Sequence, residues 1–210
     1  MIRRILILTL LLLSAAKASA TVPVILVVGD SLSAGYGIAL HSSWPDLLQQ
    51  RLRRQGYGYR VVNASISGDT TSSGRGRLPG ELARHHPQIV ILELGANDGL
   101  RGLPLAQMRD NLDAMIGMAQ AYQARVVLVG MYLPVNYGRV YSDAFHRVFV
   151  SLAARHHLPL VPFLLQGVAL DPRLMQADGL HPRAAGETTV LDNVWHVLAP
   201  MLRTQPATDK

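Results

Sequence analysis

The chain has 210 residues, 49% hydrophobic and 16% charged, a balance that suits one globular domain with a sizeable core. It contains no cysteine, which excludes both a lipoprotein anchor and a disulfide framework. The formal charge of +6 is scattered, with no run of five basic residues and no aromatic interleaving, so nucleic acid is not an expected partner.

Residues 1–20 stand apart. Arg3 and Arg4 form a basic start, Ile5 to Leu13 is apolar apart from Thr9, and Ala18-Ser19-Ala20 is an A-x-A cleavage site. This is the pattern of a secretory signal peptide, and its apolar run is well short of the roughly 20 residues that span a bilayer. The mature chain is expected to begin at Thr21 and to reside in the periplasm of a diderm bacterium, with secretion as the second choice. An uncleaved membrane anchor is the competing reading. Loss of Arg3, Arg4 and Lys17 leaves 17 basic and 14 acidic residues, a net charge of +3.

Val24 to Val28 is an apolar run that reads as a buried strand, closed by the turn-forming Gly29-Asp30-Ser31-Leu32-Ser33. Ser43-Trp44-Pro45-Asp46 opens a helix, with Ser43 as cap, Pro45 in the first turn, and Leu47, Leu48 and Leu52 on the apolar face. Gly56 ends it. Arg60 to Ala64 is a short second strand. Ser65 to Thr71 is too rich in small residues for a helix and reads as a loop. A helix follows from about Ser73 to His86, weakened by Gly74, Gly76 and Pro79 and stopped by Pro87. Gln88 to Leu94 reads as a strand buried on both faces, ending at Gly95-Ala96-Asn97-Asp98-Gly99. The helix from Leu105 to Tyr122 places Met108, Leu112, Met115, Ile116 and Ala119 on one face. Val126 to Val129 is the next strand and Leu133 to Tyr141 a loop. Asp143 to His156 is a helix with Phe145, Val148, Phe149 and Leu152 inward, and Leu160 to Phe163 is a short last strand. A loop then carries Asp178-Gly179-Leu180-His181-Pro182. A helix from about Arg183 to Leu202 follows, and residues 204–210 form a loose polar tail.

Strands that alternate with helices and are nearly continuously apolar argue an α/β fold with a five-stranded parallel sheet covered on both faces. Residues 21–203 show no repeat or linker and read as one domain. Right-handed crossovers leave few topologies, and the flavodoxin-like order 2-1-3-4-5 is expected. In such sheets a site lies beyond the carboxyl ends of the strands. Ser31 follows the first strand, Gly68 the second and Asn97 the third, so all three fall on one rim.

A serine beside Gly-Asp is, by itself, a turn or a helix cap. A nucleophilic serine needs a base within reach and a group that orients the base. Asp178 and His181, three apart in one tight turn, can supply both. The other seven histidines are expected to lack such a partner, with His85-His86 and His156-His157 at helix C-termini where a cation suits the macrodipole. No H-E-x-x-H spacing, Walker motif or G-x-G-x-x-G appears, so neither a metal site nor a cofactor is expected. Attack on a carbonyl also needs donors for the developing oxyanion. The backbone N–H of Ser31, the N–H of Gly68 and the side-chain amide of Asn97 are the candidates.

Taken together, Gly29-Asp30-Ser31-Leu32-Ser33, Gly68, Gly95-x-Asn97-Asp98 and Asp178-x-x-His181 resemble, in order, the four blocks of the SGNH (GDSL) hydrolases. Asn63 to Thr70, Asn97 to Gly102 and Leu133-Pro134-x-Asn136-Tyr137-Gly138 are similar to a bacterial periplasmic subgroup of acyl-CoA thioesterases and lysophospholipases. The likeness covers essentially the whole mature chain. It implies a three-layer α/β/α sandwich in which Ser31 is the nucleophile, His181 the base and Asp178 its orienter, with an oxyanion hole of Ser31, Gly68 and Asn97. It also implies hydrolysis of esters and thioesters of single acyl chains, covering arylesterase, thioesterase and lysophospholipase activities. Small acyl donors and single-chain lipids are then the partners, no cofactor is needed, and a monomer is favoured.

Two other readings stand beside this one. The same machinery could serve an O-acetylesterase of envelope carbohydrate, or the chain could be a non-enzymatic, flavodoxin-like binding module. Leu103, Val135 and Tyr137 are expected to form an apolar pocket wall. Gly99 to Pro104 is expected to move, with Gly99 and Gly102 as hinges and Leu100 and Leu103 covering a bound chain. No insertion is long enough for a lid domain, so the groove is expected to be shallow.

Overall fold

The sheet forms where the sequence is most continuously apolar. The computed structural model describes residues 22–203. In it β1 (Val24–Gly29) and β3 (Ile89–Glu93) are buried along their whole length. That is the burial of strands with neighbours on both sides and helices on both faces. β2 (Arg60–Asn63) is half-exposed and forms one edge, while β4 (Arg125–Val129) and β5 (Leu160–Val161) extend the other side. All pairs are parallel, in the expected order β2-β1-β3-β4-β5. Asn63 is registered with Val27, Glu93 with Gly29 and Leu128 with Leu92, so the strands finish on a common rim.

Among the described residues seven helices accompany the strands: α1 (Ser31–Ala34), α2 (Trp44–Arg54), α3 (Thr71–His85), α4 (Ala96–Leu100), α5 (Leu105–Ala121), α6 (Arg139–His156) and, after β5, α7 (Glu187–Leu198). α2 packs with α7 on one face of the sheet, and α5 packs with α3 and α6 on the other, giving three layers. α5 buries Met108, Leu112, Met115, Ile116 and Ala119, the stripe that its 3.6-residue period sets. In α6, Phe145 and Phe149 lie one turn apart and meet edge to face with centroids 5.4 Å apart. Trp44 is fully buried at the start of α2, and its backbone N–H donates to Glu187 Oε2 at 2.7 Å, tying α2 to α7.

Several boundaries differ from the sequence expectation, each for a local reason. α3 starts at Thr71, because the Thr70 hydroxyl accepts from the Ser73 N–H and the Asp98 carboxylate accepts from the Thr71 N–H at 2.8 Å and hydroxyl at 2.5 Å. α6 starts at Arg139, directly after Gly138 turns the chain at φ +79. β5 has only two residues, since only Leu128 and Val129 of β4 face it in register. The last helix is interrupted, with 3-10 turns at Ala184–Gly186 and Ala199–Met201 flanking α7. Among the described residues no helix is long and apolar enough to cross a membrane. The expected signal peptide, the start at Thr21 and the tail at 204–210 lie outside the described residues.

Candidate active site

β1 delivers the chain to the rim and a one-turn helix presents Ser31. Asp30 caps α1, its carboxylate accepting from the Leu32 N–H at 3.0 Å. Gly35 closes the turn at φ +76. Ser31 is thus the first residue of the helix, where a backbone N–H has no intrahelical acceptor. Among the described residues no protein group accepts from the Ser31 N–H or the Gly68 N–H.

His181 comes from the far end of the chain. Asp178 Oδ1 accepts from the N–H groups of Leu180 (2.9 Å) and His181 (3.1 Å), a turn that Gly179 permits at φ +67. Oδ2 is then free to meet His181 Nδ1 at 2.7 Å, and His181 Nε2 lies 2.8 Å from Ser31 Oγ. A carboxylate is an acceptor only, so Nδ1 carries the proton and Nε2 offers its lone pair to the Ser31 hydroxyl. The imidazole also leans on Tyr36, with ring centroids 4.6 Å apart. Gln176 Nε2 donates to the carbonyls of Tyr36 and Pro182, both at 2.8 Å, and so couples the two loops.

The expectation that the other histidines lack a carboxylate partner is corrected. His156 Nε2 lies 2.5 Å from Asp113, His85 Nε2 lies 3.3 Å from Glu81, and His41 Nδ1 lies 3.7 Å from Asp46. These contacts cross between helices, span one helical turn or join a loop to the first turn of α2, and spacing in sequence does not announce the first of them. What separates His181 is its second nitrogen, which faces a serine.

The three expected oxyanion donors sit at the ends of neighbouring strands. Gly68 has φ +85, and its carbonyl accepts from Arg101 at 2.9 Å. Asn97 Nδ2 donates to Asp30 Oδ2 and to the Asp69 carbonyl, each at 3.0 Å. Both amide hydrogens are engaged, so presenting one to an oxyanion requires exchange of a partner. Arg77 fastens the Gly68 loop to the sheet: Nε meets Asp69 at 2.7 Å, Nη1 the Ala64 carbonyl at 2.5 Å and Nη2 the Gly29 carbonyl at 3.3 Å. Tyr36, Gln176 and Arg77 escaped the sequence reading. Each is a lone residue of common type whose role exists only through contacts distant in sequence.

Burial pushes the Asp30 carboxyl up to about 6, against the Leu32 N–H and the neighbouring His181 and Asn97, which favour its ionised form. At Asp178 partial burial also disfavours the charge, but the N–H of Leu180 and the His181 contacts outweigh it and hold the carboxyl below its usual range. The ionised form so favoured is the one that accepts from Nδ1.

A groove of about 920 Å³ opens over these groups, within the range of small-molecule sites. It runs from Ser31, Gly68 and Asn97 past Met131 and Leu133 to Phe163, Leu165 and Met175. Of the three apolar residues expected in its wall, Val135 lines it, whereas Leu103 and Tyr137 do not. The Leu103 N–H donates to the Asp98 carbonyl, and the Tyr137 hydroxyl donates to the Leu100 carbonyl at 2.9 Å. The segment expected to hinge at Gly99 is also corrected. Gly99 lies within α4, and a Cβ there would come within 2.7 Å of Leu133 and Phe145, so this glycine serves close packing. Leu100 does line the groove. Among the described residues no three His, Asp or Glu side chains converge as a metal site would require.

Residues 27–188 match the GDSL-like lipase/acylhydrolase family. The chain is 50% identical over 195 residues to Esterase TesA of Pseudomonas aeruginosa, covering 93% of this chain and 96% of that protein. It is 40% identical over 184 residues to Thioesterase 1/protease 1/lysophospholipase L1 of Escherichia coli strain K12, covering 88% and 87%. The crystal structure of the psychrotrophic esterase EstA from Pseudoalteromonas sp., inhibited by monoethylphosphonate, superposes with a TM-score of 0.81 at 36% identity, covering 85% of this chain and 97% of that one.

Proposed function

The chain belongs to the GDSL-like lipase/acylhydrolase family, and on that premise we propose that it is a serine hydrolase cleaving acyl esters and thioesters through an acyl-enzyme on Ser31. The observation that carries the proposal is the relay Asp178 to His181 to Ser31, with spacings of 2.7 and 2.8 Å, opening onto an apolar-walled groove.

In this reading Ser31 Oγ attacks the carbonyl carbon while its proton passes to His181 Nε2. The resulting oxyanion is met by the N–H groups of Ser31 and Gly68 and by the Asn97 amide. Collapse expels the alcohol or thiol, which takes the proton from Nε2. Water, deprotonated by the same nitrogen, then attacks the acyl-Ser31 carbonyl, releases the acid and returns the proton to Oγ. Asp178 holds the imidazole in the tautomer that both halves need. Met131, Leu133, Phe163, Leu165 and Met175 suit a single acyl chain, because each methylene they remove from water contributes up to about 0.8 kcal/mol. Single-chain lipids are accordingly within its range, alongside small esters and acyl thioesters.

The proposal extends to the whole chain. Residues 1–20 serve as an export signal, residues 21–203 form the hydrolase domain, and the product works in the periplasm. N-terminal sequencing of the periplasmic protein is expected to begin at Thr21, and recovery of Met1 in a membrane pellet would contradict export.

A hydrolysis panel of acetyl esters, long-chain p-nitrophenyl esters, acyl-CoA thioesters and lysophosphatidylcholine tests the substrate class. Turnover rising with chain length on esters and thioesters supports it. Activity confined to the acetyl esters would favour an O-acetylesterase instead.

A further inference from the structure

One carboxyl at the site has no part in that chemistry. Glu93, the last residue of β3, is fully buried beneath the turn from β1 to α1. Its Oε2 accepts from the Ser33 hydroxyl at 2.6 Å and from the Asp30 backbone N–H at 3.3 Å. Its Oε1 is buried without a partner. The other residues of β1 and β3 facing the core are valine, isoleucine and leucine, so a carboxyl here is a departure that packing alone does not explain. A leucine would fill the space but leave the Ser33 hydroxyl and the Asp30 N–H unpaired.

The two groups that Glu93 engages bracket Ser31, one residue before it and two after. They need an outside tie. α1 is a single turn, and a helix that short does not hold itself together. The glycine that opens Gly29-Asp30-Ser31 is shaped by the same contact. Glu93 is registered opposite Gly29, and a Cβ at 29 would fall 2.5 Å from Glu93 Oε2 and 2.7 Å from Ser33 Oγ.

We infer that Glu93 is a positioning residue for Ser31: by holding the Asp30 N–H and the Ser33 hydroxyl it fixes α1 so that Ser31 Oγ faces His181 Nε2. The inference rests on the reading of Ser31 as nucleophile. Burial, and then the nearby Asp30 carboxyl, raise Glu93 well above the usual carboxylate range, which favours its neutral form. With Oε2 accepting both bonds, the proton of the neutral acid sits on Oε1, so the unpaired position holds a hydroxyl where a carboxylate would leave an anion. Glutamine reproduces the accepting oxygen without the titration.

The test measures acylation by p-nitrophenyl butyrate in rapid mixing, and labelling by a fluorophosphonate, for the wild type and for Glu93→Ala, Glu93→Gln, Ser33→Ala and Ser31→Ala. Each rate is normalised to the folded fraction from near-ultraviolet circular dichroism. Glu93→Ala is expected to slow acylation about 10²-fold, the cost of a misplacement near 1 Å, with KM unchanged. Glu93→Gln is expected to restore most of the rate, and Ser33→Ala to fall between. Acylation of Glu93→Ala at the wild-type rate per folded molecule would overturn the inference, as would a loss that glutamine does not restore. If Glu93→Ala fails to fold, Ser33→Ala decides: slower acylation at unchanged KM supports the role, and a wild-type rate refutes it. Labelling of Ser31→Ala would instead refute the nucleophile assignment, which keeps the two failures distinct.

Discussion

His181 Nε2 stands 2.8 Å from Ser31 Oγ although 150 residues separate them along the chain. The contact is delivered by two turns, the Asp30 cap on α1 and the Asp178 turn around Gly179, which Gln176 couples. Because Asp178 acts through His181, its loss should cost less than the loss of the base itself. Asp178→Ala is expected to lower kcat by about 10⁴ and His181→Ala by about 10⁶. Wild-type kcat in Asp178→Ala would remove that residue from the relay.

The Asn97 amide donates two hydrogen bonds in the resting site, to Asp30 and to the Asp69 carbonyl, and matters most once charge has developed on the substrate oxygen. Asn97→Ala is expected to lower kcat by roughly 10²–10³ with little change in KM. A change confined to KM would make it a binding residue for the ground state.

The groove makes a distinction between two apolar residues. Val135 lines it and is 93% exposed, whereas Leu103 does not line it. Val135→Ser is expected to weaken long-chain esters selectively, by up to about 0.8 kcal/mol for each methylene that loses its contact, while sparing acetyl esters. Leu103→Ser should leave chain-length preference unaltered. The reverse pattern would relocate the acyl chain to the other side of α4.

How far the sequence carried the account can be judged from the same residues. The order of the sheet followed from five apolar runs separated by helix-length segments, and Ser31, Gly68 and Asn97 fell on one rim because each follows a strand. α1 and α4 were illegible, being four and five residues long, too short to show a period, and set by caps. Gly99 read as a hinge because a sequence shows only that a side chain is missing, not that Leu133 and Phe145 have taken its place. The far groove wall at Leu165 and Met175 belongs to a stretch with no periodicity, and Met175 is placed by its bridge to Pro182.

Glu187 supplies a pH test of the scaffold apart from the site. Burial pushes its carboxyl up to about 7, with the Trp44 N–H opposing and Asp46 adding to the rise. A raised acid binds its proton more tightly when folded. Its contribution to stability is therefore complete below the unfolded value near 4.5 and is lost as pH rises through about 7. The span corresponds to about 3 kcal/mol. Glu187→Gln keeps an acceptor for the Trp44 N–H and removes the titration. Relative to wild type its Tm should rise by about 6–12 °C between those limits. Parallel Tm profiles would show that Glu187 does not titrate there.

The central claim is that Ser31 carries the acyl group, and mass spectrometry of a trapped adduct tests it most directly. After reaction with a fluorophosphonate, the account predicts one phosphonyl group per molecule, mapped to the peptide containing Ser31, with hydrolysis of esters and thioesters lost in proportion. Ser31→Ala should take up none. A stoichiometric adduct on any other residue, or full hydrolytic activity in protein labelled at Ser31, would contradict it.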